Sequence, residues 1–293
     1  MKLKFLIFVL TLVCNQSFSQ GLVRLINPGD TIKEMINYNN VAQKLAEKGT
    51  ISTDSAIVFA AMLFDGKPYV AGTLDTDSIN ENLVVSFSKF DCLTFAETVC
   101  ALVLDARSNN PSYAGFKQNL EKIRYRNGIR NGYVSRLHYV SDWIYDNCQM
   151  RIFTDLTPKL GGVLQTETIN FMSSNPNYYK PLRSNADNLA AIKAIEDSIN
   201  ARGKRYYIPK NNIKNVEKNI PAGSIIFIST TKKGLDYVHT GIAVKPNGND
   251  GELYMIHASS NAKKVLQTPI PLKNYIESIK NFSGITVLKL NEQ

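Results

Sequence analysis

An α+β fold is what this sequence predicts, and two observations carry the prediction. Apolar residues recur at helical spacing through the first half, whereas the last third holds short β-branched or apolar runs separated by Gly, Asn and Pro turns. Helices first and an antiparallel meander last put a helix of the first half onto a sheet of the second. An apolar fraction of 44% over 293 residues is enough to build a packed core.

The elements follow in chain order. Lys2 and Lys4 precede the apolar run Phe5 to Val13, and a Ser17-x-Ser19 step follows, so residues 1–19 read as an export signal whose removal leaves Gln20 at the terminus. The run is too short to span a bilayer, which takes roughly 20 apolar residues. Cys14 raises the alternative of a lipoprotein anchor, but Thr11 and Val13 stand where a lipobox wants an aliphatic and a small residue. The expected location is the periplasm or beyond, without stable membrane insertion.

Thr31 to Lys48 forms a helix stopped by Gly49, and a second helix capped by Ser52 or Thr53 ends at Asp65-Gly66-Lys67-Pro68. Tyr69 to Ser88 is extended and loop-like. Leu93, Ala96, Val99, Cys100, Val103 and Leu104 then recur at helical spacing, which places Cys92 in the first turn of a helix with Asp91 as its cap. Helical patterns at Phe116 to Tyr125, Leu137 to Asp146 and Asn188 to Ile199 make the stretch from about 110 to 210 a helical insertion in one catalytic domain, residues 20–293. Strands are predicted at Ser224 to Ser229, Thr240 to Val244, Leu253 to Ala258 and Ile285 to Leu290. There is no internal repeat and no low-complexity tract.

The formal charge of +9 is spread along the chain, which argues against nucleic acid and suits a carboxylate-bearing substrate; mere solubility explains it equally well. Of the four cysteines, Cys92, Cys100 and Cys148 follow the signal, so at least one stays unpaired within the chain. Cys92 and Cys100 are too far apart along one helix to bond each other. Cys100 and Cys148 either pair or are both buried thiols.

A cysteine at a helix N-terminus sits where backbone N–H groups and the helix dipole stabilise a thiolate. The plain alternative is a core residue. Only three histidines are present, and two of them fall at strand ends: His239 opens one predicted strand and His257 ends the next. Antiparallel pairing through the turn Pro246 to Gly251 brings them side by side, so that one imidazole accepts the thiol proton and the other orients it. Two satisfied sheet histidines or two metal ligands are the competing explanations, and no matched third ligand supports a metal. His138 reads as an ordinary helix residue.

These residues resemble the NlpC/p60 papain-like cell-wall hydrolases, in the order Tyr69, Asp91-Cys92, Pro221-Ala222-Gly223-Ser224, His239-Thr240-Gly241 and Ile256-His257-Ala258. The segments Pro68-Tyr69-Val70-Ala71-Gly72, Phe90-Asp91-Cys92-Leu93, Arg136-Leu137-His138-Tyr139 and Gly234-Leu235-Asp236-Tyr237 are similar to the N-acetylmuramoyl-L-alanine amidase-like branch. The resemblance implies a papain-like (NlpC/p60) fold, Cys92 as nucleophile, His239 as base, His257 as its orienting partner and Tyr69 at the scissile bond. It also implies an amidase acting on peptidoglycan fragments (muropeptides) without metal or cofactor.

Asp91 flanks the thiol as a further substrate contact, and a monomer is expected. Arg124, Arg130, Arg136 and Arg151 are candidates to receive substrate carboxylates, Arg136 and Arg151 foremost. The rival activities are an endopeptidase cutting after D-glutamate, a wall-binding protein without turnover, and an acyltransferase using the same dyad. The long stretch between His239 and His257 and the helical middle third depart from the small members of the superfamily.

Overall fold

The computed structural model describes residues 28–75, 81–248 and 251–292. The export signal and Cys14 lie outside the described residues. No helix among the described residues is long and apolar enough to cross a membrane.

Five helices come first: α1 (Pro28–Ala46), α2 (Thr53–Met62), α3 (Cys92–Ala106), α4 (Tyr113–Arg124) and α5 (Val140–Gln149). Three of the starts have a local cause. Ser52 caps α2, Ser112 caps α4, and Asp91 closes a reciprocal capping box with Thr94 at the mouth of α3. Twelve of the fifteen α3 residues are buried, so this helix is the axis on which the others pack.

The middle of the chain is not purely helical. It supplies β1 (Phe153–Asp155), β2 (Val163–Leu164) and β3 (Tyr206–Pro209) besides the helices α6 (Phe171–Ser174), α7 (Lys180–Arg183) and α8 (Ala186–Arg202). The short helix α9 (Ile213–Val216) then leads into β4 (Ile225–Thr230), β5 (Tyr237–Val244), β6 (Tyr254–Ser259), β7 (Lys264–Gln267), α10 (Leu272–Ser278) and β8 (Phe282–Leu290). The strands form one sheet in the order β2-β3-β8-β4-β5-β6-β7, with β1 also paired to β8, and every strand pair is antiparallel.

Both faces of this sheet are covered. Alternate residues such as Ile225, Phe227, Ile242 and Ile256 face α3 and share a core with Phe95, Val99 and Leu102. Their neighbours Ile226, Ile228, Ala243 and Met255 face a second core closed by Leu272 and Ile276 of α10. A third, smaller cluster joins Tyr139 to Ile169, Met172, Leu182, Ile192 and Ile199, which gives the α6–α8 stretch apolar packing of its own. The fold is therefore mixed α and β, with α3 packed on β5 and β6 of an antiparallel sheet.

Candidate active site

The capping box fixes the mouth of α3. The Asp91 carboxylate accepts from the Thr94 backbone N–H at 2.8 Å and from the Thr73 hydroxyl at 2.5 Å, while the Thr94 hydroxyl accepts from the Asp91 N–H at 3.0 Å. Cys92 follows at the first helical position and is half-buried. Removal from water and the Asp91 charge push its thiol up to about 12, against the opposing pull of backbone N–H groups of Thr240, Leu93 and Cys92 itself. The groups that favour the thiolate thus belong to two elements, the helix mouth and strand β5.

The β5 contact brings the histidines in. His239 immediately precedes Thr240, and its Nε2 lies 2.5 Å from Nδ1 of His257 on β6. The two rings meet nearly edge to face, with centroids 4.8 Å apart. In the β5–β6 ladder Ile242 pairs with Ile256 and Ala243 with Met255, so His239 and His257 sit diagonally across the same pair of strands. Burial lowers His239 to about 3, helped by the charge of its neighbour, and burial lowers His257 to about 4. At neutral pH both rings are neutral and the thiol is protonated.

That neutral pair has a defined tautomer logic. One of the two facing nitrogens must carry a proton, and if it is His239 Nε2, then His239 Nδ1 is bare and able to accept. Tyr275 of α10 packs against His257 at 5.4 Å between ring centroids. Desolvation and the nearby Cys92 charge raise both Tyr275 and Tyr69, and Asp91 adds to the effect at Tyr69. Two phenols therefore stay protonated close to the sulfur.

Tyr69 is tied down by backbone pairing to both sides: its N–H donates to the Lys263 carbonyl at 2.9 Å, and the Val70 N–H donates to the Phe90 carbonyl at 2.8 Å. Sequence alone missed Tyr275, because it lies on a short helix after the last histidine, and nothing in its local pattern separates it from a core aromatic.

Beside Cys92 opens a cavity of about 220 Å³ that also reaches Asp91, Glu97, Arg124, Arg136 and His138. Arg136 is buried, its Nη1 donates to the Leu74 carbonyl at 3.0 Å, and its Nε, 3.4 Å from the Glu81 carboxylate, has no partner in hydrogen-bonding geometry. Arg124 is held by partners within the protein, with Nε 2.7 Å from Glu97 and Nη1 2.6 Å from the Val84 carbonyl. Arg130 pairs with Glu121 and the Glu81 carbonyl away from the thiol. Arg151 stands exposed just beyond α5 in the left-handed region, φ 57°, and is not brought to this cavity.

His138 departs from its expected role, since α5 begins only at Val140 and His138 lies in the connection before it, at the cavity wall. The helical pattern from Leu137 overran the true start because Leu137 and Tyr139 are buried for packing reasons outside any helix. Among the described residues, no group of three His, Cys, Asp or Glu side chains is arranged to hold a metal ion, and Cys92, Cys100 and Cys148 are free thiols. A wider hollow of about 600 Å³ beside α2 carries no cysteine or histidine.

Residues 60–285 match the AmiA-like family, described as N-acetylmuramoyl-L-alanine amidase-like. A crystallised N-acetylmuramoyl-L-alanine amidase from Bacteroides uniformis is 36% identical, with a TM-score of 0.76 over 82% of this chain and 99% of that one. A Bacteroides fragilis protein described as a xylanase is 34% identical, with a TM-score of 0.72 over 78% and 99% of the two chains. A Legionella pneumophila protein at 22% identity shares the fold, with a TM-score of 0.69 over 90% and 97%. No curated protein sequence matches the chain.

Proposed function

The chain belongs to the AmiA-like, N-acetylmuramoyl-L-alanine amidase-like family, and on that premise we propose that it is a cysteine amidase of peptidoglycan fragments. Its bond is the amide joining the lactyl group of N-acetylmuramic acid to L-alanine, in soluble anhydro-muropeptides. Cys92 is the nucleophile, His239 the base and His257 the orienting partner, on a papain-like (NlpC/p60) core. The observation that carries this reading is the 2.5 Å His239–His257 contact on β5 and β6, the two strands on which the helix opened by Cys92 packs.

In this mechanism the Cys92 proton passes to His239 Nδ1 as the sulfur attacks the carbonyl carbon of the lactyl group. The carbonyl oxygen becomes an oxyanion, and N–H groups at the mouth of α3 with the Tyr69 hydroxyl are the donors at hand to hold it. His239 then returns the proton to the departing L-alanine nitrogen, leaving a thioester on Cys92. Water, deprotonated by the same imidazole, attacks the thioester carbon and releases the lactyl carboxylate and the thiol. No step needs a metal or cofactor. The working site is the periplasm or outside the cell, where the substrate is made accessible.

A glycoside hydrolase would need two carboxyl groups free to act on the scissile bond. At this cavity Asp91 is spent on the cap and Glu97 on Arg124 and Trp143, which leaves Asp75 without a second carboxyl to work with, so the description of the Bacteroides fragilis relative is not carried to this chain. The same chemistry also cuts the D-glutamyl bond to a diamino acid. Mass spectrometry of the products separates the two: the amidase frees an intact stem peptide, and the endopeptidase leaves L-Ala-D-Glu on the sugar. Cys92→Ala should lose turnover entirely while binding fragments as the parent does. Turnover that survives in that variant, or that stops on adding a chelator, would remove the thiol mechanism.

A further inference from the structure

His138 is turned so that its two nitrogens do different work. Nε2 lies 2.8 Å from the Tyr133 carbonyl, an acceptor only, so Nε2 carries the proton and Nδ1 is bare. Tyr133 packs against the ring, with centroids 4.3 Å apart, and the Arg136 guanidinium lies 5.3 Å from the centroid of the Tyr133 ring. Burial first, and the Arg136 charge second, keep the His138 ring neutral, so this acceptor does not titrate away in the working range. The residue lines the cavity that opens beside Cys92, and so does Arg136 with its partnerless buried Nε.

We propose that His138 is a specificity-determining residue: its Nδ1 accepts a hydrogen bond from an N–H or O–H of the substrate portion lodged between Cys92 and Arg136. The ligand class is a neutral polar group, a sugar hydroxyl or an amide, and not a carboxylate. The wall itself argues this, because both of its guanidiniums already face carboxylates, Arg136 at 3.4 Å from Glu81 and 3.8 Å from Asp75 and Arg124 at 2.7 Å from Glu97, so that neither is left over for a carboxylate of the ligand. A wall whose charges are matched from within and that carries a fixed neutral acceptor takes donors. His138 moves no proton in the reaction; it positions the substrate.

The inference rests on the amidase reading, and the experiment separates their failures. Turnover of a defined anhydro-muropeptide is compared for the parent, His138→Phe, which keeps the ring against Tyr133 but loses both nitrogens, and His138→Gln, which keeps a donor and an acceptor. His138→Phe should raise KM about tenfold, the order expected for one lost hydrogen bond, with kcat and the rate of iodoacetamide capture of Cys92 nearly unchanged. His138→Gln should recover most of the loss.

A second measurement leaves His138 intact. In Cys92→Ala labelled with 15N-histidine, the bare Nδ1 resonance of His138 should move when the fragment is added, and with only three histidines in the chain the assignment is direct. Parental KM in a folded His138→Phe protein, or an Nδ1 resonance indifferent to a bound fragment, overturns the role of His138. Failure of the parent itself to cut the fragment overturns the amidase reading instead.

Discussion

At the scale of single residues, the site is held in an uncharged resting state by burial. The thiol near 12 and the imidazoles near 3 and 4 each avoid charge because water has been removed from them. The two histidines then couple folding to acidity. In the unfolded chain they take up protons near 6.5, whereas in the folded chain they resist until about 4 and 3, so between those limits the unfolded state holds more protons. Stability should therefore fall as pH drops from about 6.5 toward 3, and level off below. Urea titrations of the parent and of a His239→Gln, His257→Gln protein test this: the difference between their stabilities should shrink with acid over that window, and a constant difference would contradict it.

At the scale of one element, α3 sets the reactivity of its own first residue. Asp91 does two things with opposite signs for the thiol: it caps the helix, and its charge raises Cys92. Asparagine caps about as well as aspartate but carries no charge. Asp91→Asn should thus leave thermal stability within about 0.5 kcal/mol, while Cys92 reacts faster with iodoacetamide at pH 7. Asp91→Ala should lose the cap as well, about 1 kcal/mol. A slower alkylation in Asp91→Asn would mean that the cap geometry, and not the charge, governs the sulfur.

The α3 start was legible in sequence because a capping residue, a helical apolar period and a cysteine coincide within a few positions. The ends of α1 and α5 were not, and each was displaced by a few residues. Gly49 does adopt a left-handed φ of 64°, but the last turn of α1 had already loosened by Ala46. Sequence periodicity also cannot distinguish a residue buried on a helix from one buried in a connection, which is how His138 was misread.

At the scale of the whole molecule, the sheet is longer than the sequence pattern suggested. β4, β5, β6 and β8 declare themselves through β-branched runs, whereas β1, β2, β3 and β7 span four residues or fewer, too short for a period to emerge. Gly284 shows why the join between the middle of the chain and the sheet must be close. A Cβ there would lie 2.1 Å from the Ile208 carbonyl oxygen across the β3–β8 pair. Gly284→Ala should accordingly destabilise the protein by about 1–3 kcal/mol, read as a lowered urea midpoint. A midpoint unchanged from the parent would show that β3 yields without loss.

The margin of the sheet at β7 carries one more implication. The Gly66 N–H donates to Val265, the Val265 N–H to Lys67 and the Tyr69 N–H to Lys263, so the chain leaving α2 lies along that outer strand as a short extra rung. A bare strand margin invites a foreign strand to add to it, and here the margin is already occupied from within. Any neighbouring molecule that tried to zip onto β7 would first have to strip away the segment holding Tyr69, so self-protection against aggregation and the placement of that tyrosine stand or fall together.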